Sequence, residues 1–179
     1  MVELFHSTSE KCSRIVTEGY STSFFSAIGM LHTSLRKPVY KIYGFVRFAD
    51  EIVDSFHDFD KKLLLQQFKV ETYDAIERKI SLNPILNSFQ QTVNEYGIDA
   101  KLIDSFFESM EMDLEKTKYD SKGYQEYIYG SAEVVGLMCL YVFCEGKREL
   151  YDKLKSSAQS LGAAFQKVNF LRDVKADFN

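Results

Sequence analysis

The positions of the apolar residues predict the secondary structure of this chain. They recur every three or four residues, which is the spacing of one helix face. The segment from Pro38 to Asp54 shows this most clearly. We predict one helix that starts at Pro38, since the missing N–H of proline is not needed in a first helical turn. Because this helix is apolar nearly all round, we expect it to be buried.

The same periodicity predicts helices along the rest of the chain, without strand-like alternation of useful length. Ser7 and Glu10 form a capping box for the first helix, and Asn83-Pro84 and Gly97 bound another. The predicted helices are residues 7–18, a short run ending at 30, 61–80, 84–96, one capped by residue 99, 121–144 and a last one from 148. We therefore expect an all-α fold with residues 1–179 in a single domain.

One narrow strip of the Pro38–Asp54 helix is polar. Tyr43, Arg47, Asp50 and Asp54 share it, because steps of four, three and four residues return to the same face. Two ionised carboxylates one turn apart repel each other unless a cation lies between them. A metal-lined cavity is the simplest surrounding for such a strip.

The end of the chain repeats this arrangement. Gln166, Asn169, Asp173 and Asp177 share one face, and an apolar stripe lies beside it at Leu161, Phe165, Val168 and Leu171. Mg²⁺ is typically held by one or two carboxylates together with substrate phosphates. Two such helices fit a site that binds a diphosphate through bridging Mg²⁺, with Arg47 and Arg172 to neutralise the leaving group. The alternatives are surface ion pairs, or a di-iron bundle, for which the required Glu-x-x-His pairs are absent.

Composition argues against several other classes of protein. The net charge of −4 and the scattered basic residues give no footprint for nucleic acid. Cys12, Cys139 and Cys144 are odd in number and form no C-x-x-C pair, which argues for free thiols. The start resembles no signal peptide, and Glu126 and Glu133 interrupt the long apolar stretch, so we expect a cytoplasmic protein.

Three smaller features have open interpretations. Ser21 and Ser23 precede an apolar run, where they serve either as a helix cap or as a seat for an anion such as a diphosphate. His57-Asp58 is disfavoured as a phosphohydrolase site, because few other histidines are available. Gly130 and Gly136 lie inside a predicted helix, where a kink or the close approach of another group would account for them.

Four segments carry a resemblance to a known family. They are Tyr20-Ser21-Thr22-Ser23-Phe24, Tyr43-Gly44-Phe45-Val46-Arg47-Phe48-Ala49-Asp50-Glu51-Ile52-Val53-Asp54, Tyr127-Ile128-Tyr129-Gly130-Ser131-Ala132, and Gln166 to Asp177. In order and spacing they resemble the motifs of squalene and phytoene synthases, most of all bacterial phytoene synthases. The resemblance implies the all-α isoprenoid synthase bundle. It also implies head-to-head condensation of two prenyl diphosphates, with geranylgeranyl diphosphate giving phytoene via prephytoene diphosphate in carotenoid biosynthesis.

The resemblance also implies roles for individual residues. The metal-linked residues would be Asp50, Asp54, Asp173 and Asp177. The residues that contact diphosphate would be Ser21, Ser23, Arg47, Gln166, Asn169 and Arg172. Tyr43 and Tyr127 would lie near the carbocations, and Arg47 would also be catalytic. Mg²⁺ is the expected ion, with Mn²⁺ as a substitute, and phytoene formation needs no NADPH. Electrostatic stabilisation and exclusion of water from a carbocation are what such a site must supply.

Two departures from the family pattern qualify these expectations. Lys175-Ala176 replaces the Glu that many relatives have before the last Asp, and the chain stops at Asn179, where relatives continue through further helices. We expect a fragment that lacks the C-terminal helices, exposes apolar surface and self-associates. Apolar substrates suggest peripheral contact with the inner membrane face. Squalene or dehydrosqualene synthase acting on farnesyl diphosphate, and a non-catalytic assembly factor of the same fold, remain as alternatives.

Overall fold

The computed structural model describes residues 1–115 and 120–177, with the side chains of 121 and 172–177 left aside. Within this part of the chain all regular structure is helical, which confirms the predicted all-α class. Contacts divide the chain into two compact units. We call them the N-terminal unit, Met1–Asp99, and the C-terminal unit, Ala100–Asn179.

The N-terminal unit is organised around its third helix. Its helices are α1 Val2–Tyr20, α2 Thr22–Gly29, α3 Thr33–Ser55, α4 Lys61–Arg78 and α5 Pro84–Tyr96. Helix α3 packs against the other four. Its Ile42, Phe45 and Ala49 are completely buried, and the Phe45 ring stacks on Phe89 of α5 with centroids 3.8 Å apart. The predicted buried helix is therefore confirmed.

Helix α1 begins five residues before the predicted start, so the capping box at Ser7 was wrong. The turn before Ser7 already packs on α5, where the Asn87 side-chain nitrogen lies 3.0 Å from the His6 ring nitrogen Nδ1. Ser9 and Ser13 are fully buried along α1, and the Ser9 hydroxyl donates to the Phe5 carbonyl at 2.9 Å inside the helix. A Cβ on Gly44 of α3 would lie 3.1 Å from the Ser13 Cβ, so small residues let these two helices approach closely.

Helix α3 likewise begins before its predicted first residue. It starts at Thr33, where His32 is the cap, so Pro38 lies within the helix and not in its first turn. Proline at this position removes one backbone hydrogen bond. Burial of the Pro38 ring in the core accompanies that loss. The predicted C-terminus at Asp54 differs from the observed Ser55 by one residue.

The predicted bounds of α5 are confirmed. The Asn83 side-chain oxygen accepts hydrogen bonds from the backbone N–H groups of Ile85 and Leu86, at 3.0 and 3.4 Å. Pro84 occupies the first turn, and Gly97 ends the helix with a φ of 64°. This left-handed conformation suits glycine, which has no Cβ to clash.

The C-terminal unit contains an irregularity that the periodicity did not reveal. Its elements are α6 Ala100–Glu115, α7 Ser121–Ile128, a π-helical turn Tyr129–Glu133, α8 Val134–Phe143 and α9 Arg148–Asp177. The helical prediction for residues 121–144 is confirmed from Ser121 to Phe143, but a π turn interrupts the regular α-helix. A Cβ on Gly130 would lie 2.4 Å from the Ser105 carbonyl oxygen of α6, which confirms the predicted close approach. At Gly136 the nearest atom would be 3.6 Å away, an ordinary contact.

The second half of the last helix carries four large apolar residues on the outside. Leu161, Phe165, Val168 and Leu171 are 60–74% exposed, so the predicted apolar stripe of α9 is present and uncovered. Such a contiguous apolar face marks an interaction surface more often than a solvated one. None of the helices in the described residues is long and apolar enough to cross a membrane.

Candidate functional site

The polar strip of α3 is organised around the guanidinium of Arg47. Its Nη2 donates to Oε2 of Glu51 at 2.6 Å. Its Nη1 lies 3.9 Å from a carboxylate oxygen of Asp50 and 3.8 Å from one of Asp54. The guanidinium also lies 4.5 Å from the centre of the Tyr20 ring at the end of α1. Three carboxylates thus surround one cation, and the predicted grouping of Arg47, Asp50 and Asp54 is confirmed.

Tyr43 lies one turn before Arg47 and links α3 to the start of α2. The Phe24 ring stacks on it with centroids 4.7 Å apart. Desolvation raises the pKa of Tyr43, and a hydrogen bond with Ser21 and the charge of Arg47 offset this only in part. The phenol therefore stays protonated at neutral pH and keeps a proton to donate.

The two serines before α2 have different positions. The Ser21 side chain caps the helix by accepting a hydrogen bond from the Phe24 backbone N–H at 3.2 Å. Ser23 is exposed in the first turn of the same helix. Capping therefore explains Ser21, which also interacts with Tyr43. The position of Ser23 leaves it accessible from solvent.

The pKa values of two carboxyl groups around Arg47 are shifted in opposite directions. Desolvation raises the pKa of Asp54, and the charge of Arg47 offsets this only in part. Desolvation also acts on Glu51, but hydrogen bonds from Ser55 and Arg47 outweigh it and lower the pKa of that carboxyl. Three acids against one guanidinium leave an excess of negative charge. Carboxylate oxygens are the type of ligand that Mg²⁺ takes, but these three are not gathered into a group that could hold a metal ion by themselves.

In the C-terminal unit the candidate residues lie where α9 packs on the π turn. The Tyr127 ring contacts Phe170 of α9 with centroids 6.1 Å apart. The Gln166 side-chain nitrogen lies 3.4 Å from the Ser131 hydroxyl, and the Asn169 nitrogen lies 3.4 Å from the Gln166 oxygen. The structure therefore brings Tyr127, Gln166 and Asn169 together within this unit.

Close backbone packing fixes that arrangement. A Cβ on Gly162 of α9 would lie 3.0 Å from the Glu133 Cα, so only a very small residue fits there. The Gln159 side chain also donates to the Glu133 carboxylate at 3.1 Å. These contacts hold α9 against the π turn and thereby set the positions of the amides one and two turns further on.

Comparison with known proteins identifies the family. The sequence profile of the squalene/phytoene synthase family matches residues 17–179. The chain belongs to the squalene/phytoene synthase family. The carrot (Daucus carota) chloroplastic phytoene synthase is 27% identical over 97% of this chain and 44% of its own length. A phytoene synthase of Pseudescherichia vulneris is 28% identical over 88% of this chain and 53% of its own length. The chain thus spans about half the length of these relatives or less.

Two solved structures show the fold of this family member. A dehydrosqualene synthase in complex with a ligand matches with a TM-score of 0.82 and 24% identity, covering 97% of this chain and 59% of that one. Squalene synthase HpnC from Alicyclobacillus acidocaldarius matches with a TM-score of 0.84 and 22% identity, covering 99% and 65%. These likenesses confirm the predicted isoprenoid synthase fold.

Part of the predicted site of this family member lies outside the described side chains. The helix backbone of α9 extends to Asp177, but Arg172, Asp173, Lys175-Ala176 and Asp177 fall among the side chains left aside. Among the side chains that are described, no three His, Cys, Asp or Glu residues come together in a group that could hold a metal ion. The convergence of four aspartates stays a prediction.

We call the group formed by Arg47, Asp50, Glu51, Asp54 and Tyr20 the α3 cluster. Two of its residues, Glu51 and Tyr20, were assigned no role from the sequence. Glu51 follows Arg47 by four residues, so the spacing rule for helix faces could have found it. Tyr20 belongs to α1, and no local pattern links it to Arg47. Only the packing of α1 on α3 brings them together.

Proposed function

We propose that the protein condenses two prenyl diphosphates head to head, with the α3 cluster binding the diphosphate of one substrate. The observation that carries this proposal is the Arg47 guanidinium held among three carboxylates on a buried helix. The names of the phytoene synthase relatives support geranylgeranyl diphosphate as substrate and phytoene as product. For that product no NADPH is required.

The donor set of the cluster suits a divalent ion. Asp50 and Asp54 are the proposed ligands in the N-terminal unit, and Asp173 and Asp177 are the further ligands that the sequence predicts. When bound, Mg²⁺ or Mn²⁺ would neutralise charge on the departing diphosphate. Arg47 would add a fixed positive charge beside that leaving group, which is the role for which a planar guanidinium is suited.

The remaining residues would orient the substrates and protect the cation. The proposed diphosphate contacts besides Arg47 are Ser21, Ser23, Gln166, Asn169 and Arg172. The protonated Tyr43 can donate a hydrogen bond to an oxygen of the diphosphate. Its ring, stacked on Phe24, and that of Tyr127, in contact with Phe170, offer aromatic faces that attract a cation. Apolar walls would keep water away from it.

Binding of a slowly ionising substrate analogue tests this proposal directly. We expect the protein to bind geranylgeranyl S-thiolodiphosphate only when Mg²⁺ is present. Asp50→Asn and Asp54→Asn should each weaken this binding at least about tenfold, because each removes a charged oxygen ligand. Asp74→Asn is the matched control, since Asp74 forms an exposed ion pair on α4. Unchanged binding by both α3 variants would refute the proposal.

The exposed stripe of α9 supports two further proposals about partners. We propose that this face mediates self-association, and that the protein meets its apolar substrates at a membrane surface. Both follow from the 60–74% exposure of four large apolar side chains. Sedimentation should show concentration-dependent association that Phe165→Glu reduces, and co-sedimentation with lipid vesicles should fall in the same variant. Neither effect would appear if the stripe had no partner.

A further inference from the structure

The last turn of α3 ends without a left-handed cap residue. The helix stops at Ser55, and Phe56 follows with a φ of −84° and a ψ of 54°. The His57 N–H, which would continue the helix by donating to the Val53 carbonyl, donates instead to the Ser55 carbonyl at 2.9 Å. No basic residue lies in this last turn. The Val53 carbonyl therefore needs a donor from outside α3.

Lys61, the first residue of α4, supplies that donor. Its ammonium nitrogen Nζ donates to the Val53 carbonyl at 2.6 Å. The same nitrogen lies 2.9 Å from Nδ1 of His57, and because an ammonium can only donate, the ring nitrogen accepts. The Lys61 side chain thus joins the start of α4 to the end of α3, and His57 gives its ammonium a second partner there.

Local contacts in the loop between α3 and α4 fix the backbone at Lys61. The Asp60 side chain caps α4 by accepting from a backbone N–H of its first turn at 3.0 Å. The rings of Phe56 and Phe59 pack edge to face with centroids 5.9 Å apart. The Phe59 N–H also donates to the Phe56 carbonyl at 3.1 Å. The Lys61 side chain therefore starts from a defined position.

The carbonyl that Lys61 binds belongs to the residue directly before Asp54. A carboxylate oxygen of Asp54 lies 3.8 Å from Nη1 of Arg47. The helix macrodipole leaves partial negative charge at this end of α3, which disfavours a carboxylate there. The ammonium of Lys61 offsets that charge. Together with the charge of Arg47, it also opposes the desolvation that raises the pKa of Asp54.

From these contacts we infer that Lys61 is a positioning residue that holds Asp54, at the end of α3, in place for the divalent ion. This inference rests on the proposed function, in which Asp54 is a ligand of that ion. While the Val53 carbonyl is bound, the turn that carries Asp54 keeps its helical backbone. Loss of the ammonium would leave this carbonyl without its donor, and the last turn would fray. A contact that only stabilises the loop would leave ion binding unchanged.

The first test measures the Mg²⁺ concentration that gives half-maximal binding of geranylgeranyl S-thiolodiphosphate. Lys61→Met keeps the apolar stem and removes the ammonium, and we expect it to raise this concentration about tenfold, the scale seen when a partner that orients a metal ligand is lost. Lys61→Arg can still donate to the Val53 carbonyl and should restore most of the wild-type value. Lys37→Met is the matched control, because it removes an exposed α3 ion pair with Glu10 at 3.0 Å and should have no effect.

A double mutant shows whether Lys61 acts through Asp54. In an Asp54→Asn background, Lys61→Met should add nothing to the Mg²⁺ requirement, because the ligand that Lys61 positions is already lost. An unchanged requirement in Lys61→Met, or the same rise in both backgrounds, would overturn the inference. If Lys61→Met does not fold, Lys61→Gln decides, with a raised Mg²⁺ requirement expected and an unchanged one contradicting the inference.

Hydrogen exchange in the absence of Mg²⁺ gives an independent readout of the same turn. The backbone amides of Asp54 and Ser55 should exchange about tenfold faster in Lys61→Met than in the wild type, because the turn opens more often. They should keep the wild-type rate in Lys37→Met. Wild-type exchange in Lys61→Met would show that Lys61 does not hold this turn.

The proposed function and this inference fail in different ways. If the wild-type protein shows no Mg²⁺-dependent binding of the analogue, the proposed function fails, and the inference that rests on it falls too. If the wild-type protein binds and Asp54→Asn weakens that binding, but Lys61→Met behaves like the wild type, only the inference fails.

Discussion

Gly130 and Gly136 lie six residues apart in one apolar stretch, yet the structure predicts opposite effects when each becomes alanine. A Cβ on Gly130 would lie 2.4 Å from the Ser105 carbonyl oxygen and 2.6 Å from the Ser109 Cβ. Contacts below 3.0 Å are essentially absent from real structures. The obstructing oxygen belongs to the backbone of α6, so it cannot swing aside as a flexible side chain would.

The magnitude follows from these distances. Overpacking of a well-packed core typically costs about 1–3 kcal/mol, and two contacts this short place Gly130→Ala at the upper end. Alanine recovers roughly 1 kcal/mol of helix propensity. The expected net loss is about 2 kcal/mol in the free energy of unfolding. At Gly136 the nearest atom would be 3.6 Å away, so Gly136→Ala should gain roughly 0.5–1 kcal/mol.

Urea unfolding followed by tyrosine fluorescence measures both changes, since the chain has 11 tyrosines and no tryptophan. Gly130→Ala should lower the midpoint and Gly136→Ala should raise it slightly. The urea midpoint of Gly162→Ala should lie between those of the other two variants, because its Cβ would be 3.0 Å from the nearest atom. Unfolding of Gly130→Ala at the wild-type midpoint, or equal destabilisation of Gly136→Ala, would contradict the predicted clash at Gly130.

Two further predictions concern the core of the N-terminal unit. Asn87→Ala should lower the free energy of unfolding by about 2 kcal/mol. The Asn87 amide donates to the buried Ser9 hydroxyl at 2.9 Å and accepts from the Ser81 N–H at 3.3 Å, and the variant loses both hydrogen bonds. An unchanged urea midpoint would contradict this prediction. Desolvation lowers the pKa of Lys41, and the charge of Glu10 offsets this only in part. The unfolded chain therefore holds that proton more tightly, so stability gains a contribution as pH rises through the lowered pKa towards 10.5. The difference in urea midpoint between wild type and Lys41→Met should shift in favour of wild type over that range, and a constant difference would contradict the assignment.

Local signals in the sequence predicted those elements whose ends are set locally. Asn83-Pro84 and Gly97 bound α5 because a cap and a left-handed glycine act within a few residues. The start of α1 was missed because the exposed Ser7 lies inside the helix, which begins at Val2. A capping signature is only a preference, and tertiary contacts override it.

In the candidate site, too, features set by local helix geometry were predicted and features set by packing between helices were not. The grouping of Arg47 with Asp50 and Asp54 follows from helix geometry, and the sequence predicted it. The π turn could not be predicted, because it depends on how closely Gly130 approaches α6. π-Helical turns are frequent at functional sites, and this one lies in the segment that resembles a family motif.

We propose that this member of the squalene/phytoene synthase family joins two prenyl diphosphates head to head. The most direct test is to incubate the protein with Mg²⁺ and either geranylgeranyl or farnesyl diphosphate, and to identify the products by mass. We expect phytoene from geranylgeranyl diphosphate without NADPH, and its loss in Asp50→Asn. Formation of squalene or dehydrosqualene from farnesyl diphosphate would show that farnesyl diphosphate, and not geranylgeranyl diphosphate, is the substrate. The absence of any condensation product from either substrate would contradict the claim.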